Sequence, residues 1–197
     1  MIIETMTKEE FNNSIKTDPL NINNKRNQRN SPVGAYNCGG FALSVYDWVC
    51  PYIPYSDDSF DEDDNDWSEE ERDMYINFRL GTESLDTVVN EVLEKDVNFL
   101  LKNYPILQIV NPDECEEDDV LIAYRIFITD NNDEGIDTDF HFRVRYHGFW
   151  FEKMGSTDIT ICTGSVEEPW KYNDETIYNS KIVYFKLLRR FLIGDNV

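Results

Sequence analysis

The stretch Asp139-Phe140-His141-Phe142-Arg143-Val144-Arg145-Tyr146-His147-Gly148-Phe149-Trp150-Phe151-Glu152-Lys153-Met154 reads as two strands joined by a two-residue turn at His147-Gly148. Side chains alternate across a strand, so His141, Arg143 and Arg145 share one face. Phe140, Phe142, Val144 and Tyr146 share the other, and this aromatic face is expected to pack on the core. His141 is then expected to face a cleft or solvent. The turn also sets a register, with Tyr146 opposite Phe149, Arg145 opposite Trp150, Arg143 opposite Glu152 and His141 opposite Met154. In that register Glu152 lies on the face of His141, one diagonal step away.

Around this hairpin the chain keeps a period of two and β-rich composition. Ile106 to Val110, Val120 to Thr129 and Ile182 to Leu187 are further expected strands, and Asp130 to Asp137 is expected to be a turn-rich connector. Upstream the pattern is helical. Thr7 and Glu10 fit a capping box for a helix from Lys8 to Lys16, followed by an Asn-rich basic loop from Asn21 to Pro32. Phe41, Val45 and Trp48 predict a helix from Cys38 to Val49, stopped by Pro51. Ser68 caps a short helix that Gly81 ends, and Ser84 starts a longer one to Asn103, closed by Pro105. Helices first and an antiparallel sheet second is the signature of an α+β fold, here a single domain over residues 1–197.

Composition narrows the function classes. The chain carries 39 acidic against 18 basic residues, a formal charge of −21. Such a surface repels nucleic-acid phosphates and anionic membranes, so neither is an expected partner. It suits a basic groove on another protein. Eleven of the acids fall between Tyr55 and Asp73, with Arg72 as their only local counter-charge. With 41% hydrophobic residues the composition is that of a folded protein. No apolar run approaches the roughly 18 residues that span a bilayer. The first residues, Met1-Ile2-Ile3-Glu4-Thr5-Met6, lack the basic start and apolar stretch of a secretory signal, so a cytoplasmic location is expected.

The four cysteines, Cys38, Cys50, Cys115 and Cys162, are well separated and form no CxxC pair, so neither a disulfide framework nor a zinc site is expected. Asp130, Asn132, Glu134 and Gly135 fit the first half of a calcium loop, but His141 stands where the bidentate Glu belongs. No metal or other cofactor is expected.

One cysteine has a distinctive setting, Tyr36-Asn37-Cys38-Gly39-Gly40-Phe41-Ala42-Leu43-Ser44-Val45-Tyr46. A thiol at a helix start faces the positive end of the helix dipole, which favours thiolate. Glycines beside it let the backbone approach a substrate and leave amides free for an oxyanion. The other meaning of the same residues is a buried cysteine with glycines serving helix packing. Only two histidines exist, His141 and His147, and the second falls in the hairpin turn.

This segment resembles the nucleophile motif of the NlpC-type papain-like cysteine peptidases, in which Asp-Cys-Ser-Gly-Phe opens a helix ending in Val-Tyr. Asn37-Cys38-Gly39-Gly40-Phe41 and Val45-Tyr46 hold those places, with Asn37 for Asp and Gly39 for Ser as departures. The resemblance covers about eleven residues there together with the His141 hairpin. It implies a papain-like fold, with Cys38 as nucleophile and His141 as base. Glu152 is then the orienter of the imidazole, with Asp139 in reserve, and Glu152 is equally a salt-bridge partner for Arg143. Tyr36, Asn37 and Gly39 would line the oxyanion and substrate site. The implied activity is a thiol hydrolase, or acyl transferase, on an amide, isopeptide or thioester bond of a peptide-like or protein substrate. The alternative is an acidic interaction or inhibitor protein, phage-like in character, that blocks a basic site on a host protein.

Overall fold

The computed structural model describes residues 37–43, 48–51, 73, 77–78, 80–117, 119–131, 135–146, 148–155, 157, 159–171 and 177–188. The expected helix at 8–16, the basic loop at 21–32, Tyr36, His147 and nearly all of the acidic segment lie outside them.

Among the described residues two α-helices and six strands are placed, in the order α1 (Cys38–Leu43), α2 (Leu85–Asn103), β1 (Leu107–Ile109), β2 (Leu121–Asn131), β3 (Gly135–Tyr146), β4 (Phe149–Lys153), β5 (Ile159–Ile161) and β6 (Val183–Leu187), with a short 3-10 turn at Pro112–Glu114. The fold is α+β. The strands form one antiparallel sheet in the order β1-β6-β2-β3-β4-β5, edged by two strands of three residues each. Edges this short leave few unpaired backbone groups for another chain to extend.

Helix α2 forms where the sequence signals it. Ser84 caps it by accepting a 3.2 Å bond from the Thr87 N–H, Asp86 sits in the first turn and Lys102 in the last. Both charges complement the helix dipole. Pro105 prevents continuation, and the Tyr104 N–H closes back on Leu100. The inner face, Val88, Val89, Val92, Leu93, Val97 and Leu100, is buried against the sheet. Burying each such side chain contributes about 1.5–3 kcal/mol, which is why this face fixes the helix in place. Gly81, just before it, has φ +69, the left-handed conformation expected of a residue ending the preceding helix.

The hairpin β3–β4 has the expected register at Tyr146↔Phe149, Arg145↔Trp150 and Arg143↔Glu152, and Gly148 in the turn has φ +81. The ladder stops there, and Met154 lies beyond the end of β4 rather than opposite His141. The connector expected at 130–137 is instead mostly ladder. Strands β2 and β3 stay paired out to Asn131↔Gly135, because a two-stranded ribbon satisfies its backbone bonds whatever its side chains are.

Both faces of the sheet are covered. On one face Ile122, Tyr124, Ile126, Phe140, Phe142, Val144, Phe151 and Phe185 pack with α1 and α2 in the main core. On the other, Ala123 and Phe127 pack with Trp170 and Tyr178, which come from the irregular segment after β5.

Helix α1 is shorter than its sequence pattern. A continuous helix would carry Val49 about 18 Å from Asn37, at 1.5 Å per residue. Instead the Asn37 side chain bonds Val49 directly, so the chain has turned back by then. Trp48 lies outside the helix and is 51% exposed, while Val49 is buried.

Candidate functional site

Asn37 is buried and does three things at once. Its Oδ1 accepts from the Gly40 N–H at 3.0 Å, capping α1, and from the Val49 N–H at 3.0 Å. Its Nδ2 donates to the Val49 carbonyl at 2.8 Å. The amide thus replaces a strand partner for Val49, a role that needs both a donor and an acceptor. Gly39 serves the same junction. A Cβ there would lie 2.7 Å from the Val49 carbonyl oxygen and 2.9 Å from the Val49 Cβ. Asn37 and Gly39, expected to position substrate, are therefore engaged in holding Val49 against α1.

Cys38, expected as the nucleophile, is 5% exposed and belongs to the main core. Its Sγ is directed to the Phe140 carbonyl at 3.9 Å. Burial pushes the thiol up to about 12, and the negative charge of Asp139 adds to this. The Phe142 backbone and the helix-start amides pull the other way without offsetting it. A helix of six residues has a small dipole, and the loss of water around a buried thiolate outweighs it.

His141 lies between Phe140 and Phe142 on β3, so its imidazole leaves the sheet on the opposite face. It is 1% exposed, not open to a cleft or solvent as the alternation suggested. Trp170 meets its ring edge-on at 5.8 Å between centroids, and Tyr178 lies at 5.7 Å. Nε2 is 3.3 Å from Glu152 Oε2, and that oxygen also accepts from Arg143 Nε at 2.8 Å. Glu152 thus contacts both His141 and Arg143. Burial alone would raise the Glu152 carboxyl, but the bond from His141 and the charge of Arg143 outweigh it and hold it below the usual range. Asp139 is taken up by the Phe140 N–H at 2.8 Å and the Tyr178 hydroxyl at 2.5 Å.

The structure brings His141, Glu152 and Arg143 together, while Cys38 lies against the β3 backbone beside Phe140 and Phe142. No hydrogen bond joins the Cys38 thiol to the His141 ring. The residues that complete the second face, Arg125, Trp170 and Tyr178, were not singled out from sequence. Arg125 has the alternation signal, since it follows Ala123 by two residues in an evident strand. Trp170 and Tyr178 sit in a segment with no period.

The remaining charges are sorted by depth. Lys153 is buried and donates to the carbonyls of Gly155 at 2.8 Å and Thr157 at 2.6 Å. Lys186 pairs with the buried Asp119 at 2.6 Å, and Arg145 donates to the Glu116 carbonyl at 3.1 Å. Asp86, Glu91, Glu94, Asp113, Glu114 and Glu168 are by contrast exposed. Among the described residues no group of His, Cys, Asp and Glu could hold a metal ion, and no helix is long and apolar enough to cross a membrane. No family model matches the chain, and neither a curated protein nor a solved structure matches it.

Proposed function

We propose that the chain works by binding, its acidic surface docking on a basic partner protein. The helix-on-sheet body, papain-like in the order of its elements, acts as the scaffold. The observation that carries this is the sorting of charge. Among the described residues ten acids are exposed against three bases, Lys102, Lys171 and Lys181, so the described surface is strongly acidic. Surface fields of one sign steer association with a partner of the other sign and make it salt-dependent.

Thiol hydrolysis is the weaker reading. It needs a thiol that ionises next to an imidazole, whereas Cys38 is buried, its thiol is pushed up to about 12, and no hydrogen bond joins it to His141.

The test is capture of partners from host extract at low salt by three proteins: wild type, Cys38→Ala, and the triple variant Asp86→Asn/Glu91→Gln/Glu94→Gln. Binding predicts that wild type and Cys38→Ala retain the same basic protein, that salt releases it, and that the triple variant retains less. Retention that depends on Cys38 and not on salt would reject the proposal.

A further inference from the structure

The face of the sheet opposite the helices gathers three guanidinium groups. Arg125 of β2 stands opposite His141, Arg143 opposite Ala123 and Arg145 opposite Leu121, so Arg125 and Arg143 are diagonal neighbours and Arg145 is the next residue along on the same face. Both Arg125 and Arg143 lie over the Trp170 ring, with Cζ 5.3 Å and 4.5 Å from its centroid. A guanidinium over an aromatic ring uses its flat face there and leaves its N–H edge for a planar acceptor.

The two arginines differ in what meets that edge. Arg143 Nε donates to the Glu152 carboxylate at 2.8 Å. Arg125 Nε is buried and has no hydrogen-bond partner, and the Nε of Arg145 is in the same position. A buried donor without an acceptor costs about 1–3 kcal/mol, and more for a charged group. Folded proteins rarely leave one unless a water or ion fills the gap. Arg143 with Glu152 shows what completes such a group on this same surface.

We propose that the sheet face around Arg125 is an oxyanion-binding site, in which Arg125 takes a carboxylate or phosphate group of a small anion. The site rests on different residues from the acidic docking surface and holds or fails independently of it. One native carboxylate stands near it. Glu167 accepts a hydrogen bond from the Tyr184 hydroxyl, and its charge acts on Arg125 without bonding Nε. Glu167 is exposed, so it can leave when a better-placed anion arrives. It acts as a competitor, and removing its charge strengthens binding.

The full chain, labelled with 15N, is titrated with sodium phosphate and separately with sodium citrate, against sodium chloride at matched ionic strength. The Arg Nε–Hε signals are followed. The expected result is a saturable shift of the Arg125 signal with at least one oxyanion and none with chloride. Saturation by phosphate alone assigns a phosphoryl ligand, and saturation by citrate alone assigns a carboxylate. Arg125→Lys keeps the charge and loses the fork, and should bind at least about tenfold more weakly. Glu167→Gln, an exposed change that leaves the core intact, should bind several-fold more tightly. Because these two conservative variants carry the comparison, it does not depend on a neutral variant folding. Shifts that rise linearly and equally with all three salts would overturn the proposal, as would Arg125→Lys binding as tightly as wild type.

Discussion

Cys38 is set against the backbone of strand β3, its thiol 3.9 Å from the Phe140 carbonyl, while the imidazole of the next residue, His141, turns its Nε2 to Glu152 at 3.3 Å. Cys38 and the histidine strand meet in the folded chain, but no hydrogen bond joins the thiol to the imidazole. What the motif residues do instead is structural, and this leads to specific expectations.

Replacing Asn37 with Asp, the residue of the peptidase motif, should destabilise the fold. The carboxylate keeps the acceptor role toward Gly40 and Val49 but loses the donor that meets the Val49 carbonyl at 2.8 Å. The cost should be about 3 kcal/mol, typical of a buried charged group facing an acceptor. Gly39→Ala should cost about 1–3 kcal/mol by overpacking against Val49. Urea denaturation measures both, and a substrate-positioning role for either residue would leave these midpoints unchanged.

Asp96 is the least comfortable group in the main core. It is fully buried on the inner face of α2, its Oδ2 accepts from the Tyr124 hydroxyl at 2.7 Å, and its Oδ1 meets no donor. Burial raises its carboxyl from 3.8 to about 7, against the smaller opposing effect of the Tyr124 bond. The folded state therefore holds the proton more tightly than the unfolded one. Its stabilising share is complete below 3.8 and is lost as pH rises to about 7. The slope is about 1.4 kcal/mol per pH unit in that window, and the total is about 4 kcal/mol. Asp96→Asn should be more stable than wild type at pH 8, with the advantage shrinking toward pH 4. Equal pH profiles for the two proteins in chemical denaturation would contradict this.

Glu152 has the opposite sign. Its folded carboxyl is held below 4.5 by His141 and Arg143, so its stabilising share is present above 4.5 and lost as pH falls through the folded value. Glu152→Gln should lose that acid dependence. Glu152→Ala, which strands a mostly buried Arg143, should cost about 3 kcal/mol at pH 7. Thermal melts from pH 3 to 7 read both effects.

The sequence made the hairpin legible because a two-residue turn fixes register, and the pairing of Arg143 with Glu152 followed from it. Ser84 and Pro105 bounded α2 for the same reason, as caps act locally. The partition of the site was less visible. Alternation put His141 and Phe140 on different faces and the aromatic face on the core, where it packs with α1 and α2, but gave no sign that the His141 face is covered as well. The cover over His141 was illegible because Trp170 and Tyr178 reach it from a stretch without period, held by single contacts such as the Trp170 indole N–H to the Val166 carbonyl at 2.7 Å. The role of Gly39 was readable only as one of two meanings, and the contact with Val49 settled it.

The most direct measurement is the rate at which each thiol of the native protein is alkylated at pH 7, read residue by residue by mass spectrometry. Alkylation needs an exposed thiolate. Cys38 is buried and pushed up to about 12, whereas Cys50 and Cys115 are half-buried. The expected order has Cys50 and Cys115 labelled first, with Cys38 protected until the protein unfolds. Cys38 labelling fastest of the four in the folded protein, with a rate that falls when His141 is replaced, would contradict the account and restore the thiol hydrolase.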